Sequence, residues 1–424
     1  MQTNNGRTWA PFTVLFLVNV LNIYDRQVLG AILEPLRREF HLSDTQLGAL
    51  PTAFIVVYAL AGLPLGRLAD TRSRKRVLAL GVAVWGGLTG LAALATSYSF
   101  LFVTRMGVGI GEAACAPAAT SWIGDLVPAY RRARSMACFM MAVPVGVMLS
   151  FAIGGPVAQA HGWRAALALA AAPAALLAPA LLWLREPGRA SPTAADPANP
   201  WSLLRIPGLW WIAASGALVN CALYGFSTFI AALLSRYHGL TVAQAGLWAG
   251  LGSGAAGILG AVAAGLFGDR VRGGAGRLRL AALAAVLAVA PAAAGTGMPA
   301  GTPAFAIPLL MLAYGLLQMY YGLVYAAIQD LVTPALRGTA MAGYYAAMYL
   351  AGGSLGPLLT GRLSDWFARR AAGSSAITEA ARATGLQHAM FLVPALALAL
   401  AAVLWAAASA TSPLSPARSA RPPR

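Results

Sequence analysis

The hydrophobic pattern of the chain consists of long apolar runs separated by short polar or basic connections. A helix that crosses a bilayer needs about 20 predominantly apolar residues, and the 424 residues hold roughly twelve such runs. In the first half they cover about residues 11–33, 46–66, 77–96, 100–124, 135–158 and 164–184. In the second half they cover about residues 209–234, 243–267, 279–296, 304–328, 339–361 and 386–408. The pattern predicts an all-α membrane protein with twelve transmembrane helices.

Short motifs of the first half of the chain recur in the second half at nearly the same offset. Gly66-Arg-Leu-Ala-Asp70 is matched by Gly265-Leu-Phe-Gly-Asp269, which repeats the glycine and the acid at the same spacing before a basic segment. The segments that begin with Asp125-Leu-Val and Gly155-Pro also recur, at Asp330 and Gly356. Because the motifs recur in the same direction along the chain, they predict two parallel copies of a six-helix unit.

These repeats define the expected domain organisation. We predict pseudo-symmetric six-helix bundles over residues 1–185 and 209–408. Residues 186–208 are rich in Pro, Ala, Ser and Asp and are interpreted as a cytoplasmic linker. Residues 409–424 form the expected cytoplasmic tail.

Composition and charge distribution support a membrane protein. The chain is 59% hydrophobic and 10% charged, whereas soluble domains are about 45–50% apolar and 25% charged. The net charge is +17, and most of the 30 Lys and Arg residues fall in connections on the side of the two termini. This is the positive-inside pattern, which predicts that both termini lie in the cytoplasm. We expect a multi-pass protein of the bacterial inner membrane. Because topology accounts for the basic charge, we expect no nucleic-acid partner.

Two acid–base pairs interrupt the apolar runs. Asp25 and Arg26 are adjacent in the first run, whereas Arg105 and Glu112 lie in the fourth run, about two helical turns apart on one face. A charge inside a bilayer costs from about 2.5 kcal/mol upward, so such residues pair with one another and mark transport paths. The structural alternative is an interfacial helix end at which Arg26 snorkels to the surface. We interpret Asp25 and Glu112 as proton-carrying acids that the two arginines hold deprotonated.

The second half carries aromatic and amide side chains where the first half carries charges. Tyr314, Gln318, Tyr321 and Tyr325 share one helical face. Ordinary packing or an interfacial belt is the alternative interpretation, but a belt would cluster at helix ends. We predict a central cavity with a charged wall and an aromatic wall. The candidate substrate-binding residues are Arg26, Arg105, Tyr24, Asn220, Tyr224, Tyr314, Gln318, Tyr321, Tyr325, Tyr345 and Tyr349.

The repeated glycine–acid motif and its basic loop predict a charged latch between cytoplasmic helix ends. Glycine permits close approach of a neighbouring helix, and opposite charges hold the ends together. The candidate gate residues are Gly66, Asp70, Arg72, Arg74, Lys75, Asp269 and Arg270.

The motifs together resemble those of the major facilitator superfamily. Besides the two halves and the latch motif, the resemblance rests on Arg-xxx-Gly-x-Gly from Arg105, Gly162-Trp-Arg and Arg185-Glu-Pro-x-Arg. It covers nearly the whole chain and implies a twelve-helix transporter working by alternating access. Thr71 and Ser73 depart from the usual loop motif, in which Arg and Gly are found.

Within that family, the chain looks most like the spinster branch. The resemblance lies in Asn22-Ile-Tyr-Asp-Arg26, Gly109-Ile-Gly-Glu-Ala113 and Pro144-Val-Gly146. Spinster-like proteins move lysophospholipids and sphingolipids, which implies an amphipathic lysolipid as substrate. Protons are the coupling ions expected from Asp25 and Glu112. Organic-anion:proton symporters share the charged pairs, so a small anion such as a sugar acid stays an alternative, as does a multidrug-type antiporter.

The sequence does not indicate an enzyme. It has no paired His residues, no nucleophile with a neighbouring base and no metal-ligand spacing, and its three cysteines all fall in predicted helices. We therefore expect no cofactor and no metal. The expected partners are a small amphipathic or anionic substrate, protons and the lipid bilayer, and the protein is predicted to act as a monomer.

Overall fold

The computed structural model describes residues 6–188, 200–271, 273–333, 336–373 and 375–411. The middle of the predicted linker and most of the predicted tail lie outside these residues. Within them the chain is helical, and no strand is present. The prediction of an all-α protein with twelve transmembrane helices is confirmed.

The first half contains spans one to six. Spans one, two and three are Gly6–Phe40, Asp44–Thr71 and Arg74–Ala92. Span four consists of Tyr98–Ala113 and Cys115–Leu126. Ala129–Met140 begins span five, and Ala142–Ala171 completes it and starts span six, with the change of direction at Gly162, whose φ of 83° suits glycine. Ala174–Trp183 ends span six.

The second half contains spans seven to twelve. A short 3₁₀ helix, Pro200–Arg205, leads into span seven, Pro207–Arg236. Spans eight, nine and ten are Val242–Gly268, Gly273–Gly297 and Pro303–Leu331. Span eleven consists of Arg337–Ala347, a π-helical segment at Met348–Gly353, and Leu355–Ala372. Span twelve consists of Glu379–Met390 and Leu392–Thr411.

Prolines account for breaks in spans that the hydrophobic pattern predicted as continuous. Each break lies three residues before a proline, whose ring clashes with a carbonyl of the preceding turn and which has no amide to donate. The hydrophobic pattern alone does not reveal these breaks, because proline interrupts hydrogen bonding without making the segment polar. The breaks at Ala114, Met141, Ser354 and Phe391 precede Pro117, Pro144, Pro357 and Pro394.

The two halves pack together through helices whose backbones touch. A Cβ added to Gly48 of span two would lie 2.2 Å from the carbonyl oxygen of Pro357 in span eleven. A Cβ on Gly361 would lie 2.2 Å from the carbonyl oxygen of Asp44. Spans five and eight meet in the same way, since a Cβ on Gly155 would lie 2.9 Å from the carbonyl oxygen of Val242. Such approach requires glycine on at least one side.

Buried ion pairs join the halves where span one ends and span seven ends. Arg236 of span seven donates to Glu34 Oε2 at 2.5 Å and to Asp44 Oδ1 at 2.8 Å, and all three side chains are buried. Arg37 donates to Glu34 and also to Glu379 at the start of span twelve. We call this end of the bundle, with Glu34, Arg37, Asp44, Arg236 and Glu379, the closed face.

The opposite end, where the first span begins, shows looser packing at the predicted latch. A Cβ on Gly265 would meet no described atom within 4 Å. A Cβ on Gly66 would meet only Pro117 of its own half among the described atoms, at 4.0 Å. Among the described atoms, these two glycines of the predicted latch therefore have no close neighbour from the other half.

The closed face yields a stability prediction. Arg236→Gln leaves the buried carboxylate of Asp44 without its described cation and removes one of the cations that pair with Glu34. Removing one partner of a buried pair costs about 3–5 kcal/mol. Arg164→Gln is the matched control, because the side chain of Arg164 is 43% exposed and an exposed pair contributes about 0–1 kcal/mol. We expect a clear fall in the unfolding temperature of the purified protein for Arg236→Gln and little change for Arg164→Gln. Equal shifts would contradict this assignment.

Candidate functional site

The four intramembrane charges form two ion pairs between the first and fourth spans. Arg105 Nη1 lies 3.0 Å from Asp25 Oδ1, and Arg26 Nε lies 2.6 Å from Glu112 Oε2. Each acid therefore pairs with the arginine of the other helix. Neighbours in sequence do not pair, because adjacent residues point to different sides of a helix.

Glycines bring the fourth span close enough for these contacts. A Cβ on Gly109 would lie 2.7 Å from the carbonyl oxygen of Phe54, and one on Gly111 would lie 2.8 Å from the amide nitrogen of Trp85. The second and third spans therefore pack directly on the segment that carries Arg105 and Glu112. This close approach is what the sequence indicated for the glycines of the fourth span.

The Asp25–Arg105 pair is enclosed within the first half. Both side chains are 1% exposed. Thr89 of the third span donates to Asp25 Oδ2 at 2.6 Å, and Arg105 also donates to the main-chain carbonyl of Asp25 at 3.2 Å. Both carboxylate oxygens of Asp25 thus have donors, which a buried charge requires.

The Arg26–Glu112 pair lies nearer the interface between the halves. The Glu112 side chain is buried, and its Oε1 has no hydrogen-bond partner among the described residues. The Arg26 side chain is 9% exposed, and its guanidinium carbon lies 4.1 Å from the ring centre of Tyr58 and 5.5 Å from that of Phe54. Glu112 therefore depends on one partner, and that partner stacks on aromatic rings.

Tyrosines of the second half form a connected cluster beside this pair. Tyr325 of the tenth span contacts Tyr345 of the eleventh, with ring centres 5.6 Å apart. Tyr349 contacts Tyr224 of the seventh span at 6.3 Å and Tyr58 of the first half at 5.7 Å. The predicted aromatic wall and charged wall therefore meet at Tyr349 and Tyr58.

Several candidate binding residues lie outside this meeting point. Arg105 is enclosed behind Arg26, and Tyr24 is buried with a hydroxyl that lacks a described partner. Asn220 is buried and donates to the carbonyl oxygen of Gly216. Tyr314 accepts a hydrogen bond from Gln318 at 2.8 Å and packs on Phe226. Arg26 belongs to the charged pair, and the candidates nearest to it are Tyr224 and Tyr349. Tyr345, Tyr325 and Tyr321 follow along the cluster.

Three further residues of the site were missed by sequence reasoning. Phe54 and Tyr58 are four residues apart, so they share one face of the second span. Thr89 is a polar side chain inside an apolar run. Both features were visible in the sequence, but neither distinguishes a site residue from ordinary packing.

The predicted gate residues mainly make contacts within one half. Arg74 is fully buried and pairs with Asp125 and with Glu186 at 3.0 Å. Lys75 donates to carbonyl oxygens near the end of span six. The loop after span two is therefore tied to the ends of spans four and six. A related pair, Arg277–Asp330, joins spans nine and ten.

The remaining gate residues lie at or near helix ends. Arg72 follows the second span and Asp269 follows the eighth, each as the C-terminal capping residue. The guanidinium carbon of Arg270 lies 5.7 Å from the ring centre of Phe267. The side chain of Asp70 lies outside what the structure describes, so its part in the latch stays a prediction.

Two six-helix bundles around a paired-charge and tyrosine centre define a secondary transporter rather than an enzyme. The chain belongs to the Major Facilitator Superfamily, whose model matches residues 15–357. The resemblance to the spinster branch that was found in the sequence is confirmed by the similarity of the chain to spinster proteins.

Individual relatives place the chain more closely. An MFS-type efflux pump of Mycolicibacterium smegmatis is 33% identical over 374 residues, which cover 85% of each chain. Protein spinster of Drosophila melanogaster is 34% identical over 164 residues, 38% of this chain and 27% of that protein. The fold matches the crystal structure of a bacterial homolog to the human lysosomal transporter Spinster in an inward-facing, unoccupied conformation, with a TM-score of 0.83, 24% identity and coverage of 95% and 97%.

The Arg74 cluster predicts a pH dependence of stability. Burial of the Glu186 carboxyl raises its pKa, but hydrogen bonds from Ser73 and Arg74 outweigh burial, so the pKa is lowered from its ordinary value. A lowered pKa in the folded state contributes stability above the unfolded value, about 4.3, and this contribution is lost as pH falls through the folded value.

We therefore expect the unfolding temperature of the wild type to fall as pH is lowered from about 5 to about 3. Glu186→Gln should show a shallower fall, because the titrating carboxylate is gone. Ser73→Ala removes one donor and should give an intermediate slope. The same slope in all three proteins would show that this cluster does not contribute to acid sensitivity.

Proposed function

We propose that the protein is a proton-coupled transporter that moves an amphipathic lysolipid or sphingolipid-like molecule by alternating access. The observation that carries this proposal is the Arg26–Glu112 pair, which lies beside the tyrosine cluster where the two halves meet. In this pair, a cation that can bind an anionic head group directly contacts a buried acid that can take up a proton. All four intramembrane charges pair within one chain, which supports a monomer as the functional unit.

The charge distribution supports an orientation with cytoplasmic termini in the bacterial inner membrane. In that orientation the closed face is the outer face, and the end with the open latch glycines is the cytoplasmic one. The described conformation would then be inward-facing. Transport requires the buried pairs of Arg236 with Glu34 and Asp44 to separate, together with the Arg37–Glu379 pair, so that the outer face opens.

Proton coupling follows from the different surroundings of the two acids. Both oxygens of Asp25 are engaged, whereas Glu112 depends on Arg26 alone among the described donors. A substrate anion that draws Arg26 away leaves a buried, uncompensated carboxylate, which favours proton uptake by Glu112. Asp25 can act as a second proton carrier only when Arg105 and Thr89 release it.

An amphipathic substrate fits both walls of the site. A guanidinium can donate two parallel hydrogen bonds to phosphate oxygens, which suits Arg26 as the head-group contact. The second half supplies apolar and aromatic surface for an acyl chain, and each buried methylene contributes about 0.8 kcal/mol. A hydrophilic sugar acid needs polar partners on both walls, and Asn220 and Gln318 each already donate one hydrogen bond within the second half.

Antiport export of other amphipathic molecules is the second candidate. It is favoured by the relative named as an efflux pump, which aligns over 85% of this chain. The same pair would serve it, because a cationic substrate paired with Glu112 and a proton on Glu112 exclude each other.

Neutralising the acids tests coupling. In proteoliposomes with an imposed pH gradient, we expect Glu112→Gln and Asp25→Asn to abolish gradient-driven accumulation and to leave some substrate exchange, because the bundle still alternates. Glu39→Gln is the control, since Glu39 pairs with exposed Arg164 at the closed face. Proton-driven accumulation at the wild-type level in both acid variants would remove these residues from the mechanism.

Ligand binding tests the substrate class. Single-chain lysophospholipids should raise the unfolding temperature of the purified protein, whereas sugar-derived acids should not. Arg26→Ala should weaken lysophospholipid binding by about 10- to 100-fold, because hydrogen bonds to charged groups contribute about 1.5–3 kcal/mol. A monoacylglycerol of equal chain length, which has no anionic head group, should bind wild type and variant alike. Stabilisation by sugar acids without any response to lysolipids would favour the organic-anion alternative.

A further inference from the structure

The guanidinium of Arg26 is held by more than its acid partner. Only Nε is within hydrogen-bond distance of Glu112, at 2.6 Å. The rest of the group stacks on Tyr58, whose ring centre is 4.1 Å from the guanidinium carbon. A cation over an aromatic face is attracted by the negative charge density of the ring, most strongly where water is excluded. The ring of Tyr58 thus limits where the guanidinium can move.

Tyr58 is the ring best placed to hold Arg26. Phe54, one turn earlier on the same span, lies 5.5 Å from the guanidinium carbon of Arg26 and 5.8 Å from that of Arg105, so it stands between the two cations at longer range. Tyr58 lies more than an ångström closer to Arg26 than Phe54 does. Loss of the Tyr58 ring should therefore affect Arg26 selectively.

Tyr58 also touches the other half of the protein. Its ring meets Tyr349 edge to face, with the centres 5.7 Å apart. Tyr349 lies in the π-helical segment Met348–Gly353, and Gly352 of that segment packs on span seven, where an added Cβ would lie 2.2 Å from the carbonyl oxygen of Ala217. Single π-helical turns within α-helices frequently occur at functional sites. The local widening of the helix and its tight packing together fix the position of Tyr349.

We propose that Tyr58 is a positioning residue for Arg26: it holds the guanidinium against Glu112, and its contact with Tyr349 links that hold to the closure of the two halves. When the halves move apart, Tyr58 moves with span two and Tyr349 moves with span eleven. Tyr58 then loses its contact with Tyr349. Arg26 is then freer to leave Glu112. The transport test of this inference rests on the proposed function, whereas the test by chemical labelling of arginine does not.

Other titratable and charged side chains lie near the Arg26–Glu112 pair and can influence how it responds to pH. Asp25 and Arg105 lie beside it in the first half, and both are engaged with each other. None of the remaining neighbours carries a charge at neutral pH in its ordinary state. These neighbours are Cys115, Tyr58, Tyr224 and Tyr349.

Arginine-specific labelling tests the hold directly. Purified full-length protein is treated with phenylglyoxal, and modification of Arg26 and Arg105 is followed by peptide mass spectrometry. Tyr58→Leu removes the ring and should speed labelling of Arg26 by roughly 2- to 30-fold, the range that corresponds to the strength of cation–π contacts. Tyr58→Phe keeps the ring and should label at the wild-type rate. Arg105 is the internal control and should be unaffected in both variants.

A remote tyrosine supplies the matched control variant. Tyr98 lies at the start of span four and donates to the carbonyl oxygen of Gln46, away from Arg26. Tyr98→Leu should leave labelling of Arg26 unchanged. Unchanged labelling in Tyr58→Leu would overturn the proposal. Equal acceleration at Arg105 in that variant would also overturn it, because it would indicate general loosening of the bundle.

Transport provides the second readout. In proteoliposomes, the midpoint of the pH dependence of uptake should move to higher pH in Tyr58→Leu and return to the wild-type position in Tyr58→Phe, because a less compensated buried carboxylate takes up a proton more readily. An unshifted midpoint in Tyr58→Leu would overturn the link to coupling. If wild-type protein shows no proton-driven uptake, the proposed function fails, while the labelling result still decides whether Tyr58 positions Arg26.

Discussion

The cost of leaving a charge unpaired in a low-dielectric interior is the constraint on which the centre of this protein depends. Two acids and two arginines lie within the first and fourth spans, and each needs an opposite charge. The crossed pairing satisfies all four and ties the two helices together. It also makes the pairs unequal, because Asp25 gains a donor from Thr89 whereas Glu112 has Arg26 alone among the described residues. The Asp25–Arg105 pair is therefore the more completely hydrogen-bonded of the two.

The second half complements this arrangement without charges of its own at the centre. Its Tyr349 packs edge to face on Tyr58 of the first half. The ring faces next to the Arg26 guanidinium are those of Phe54 and Tyr58, which attract the cation without neutralising it. The guanidinium of Arg26 can therefore remain near the boundary between the halves while Glu112 keeps its pair. At the closed face the relation differs, since Arg236 pairs directly with acids of the first half. The halves thus meet through full ion pairs at one face and through aromatic contacts at the centre.

The number and order of the helices could be predicted because the bilayer imposes an apolar run on every span. The prolines that break the helices are also present in the sequence, but they do not change the hydrophobic pattern. The partners of Asp25 and Arg105 could not be predicted, because they depend on the rotation and height of two helices that pack through Gly109 and Gly111. The contact between Tyr58 and Tyr349 could not be predicted either, because it joins the two halves and exists only in conformations that bring them together.

One sequence motif illustrates why conformation is not readable from sequence. Gly66-Arg-Leu-Ala-Asp70 has a close copy in Gly361-Arg-Leu-Ser-Asp365 at the other face. There, Gly361 packs against the backbone of Asp44, and the carboxylate of Asp365 accepts from the amides of Asp44 and Thr45 at 3.0 and 2.9 Å. At the first copy, Gly66 meets only Pro117 among the described atoms. The glycine of this motif is therefore packed against backbone at one face and has no close neighbour from the other half among the described atoms at the other, so the motif alone does not determine the packing.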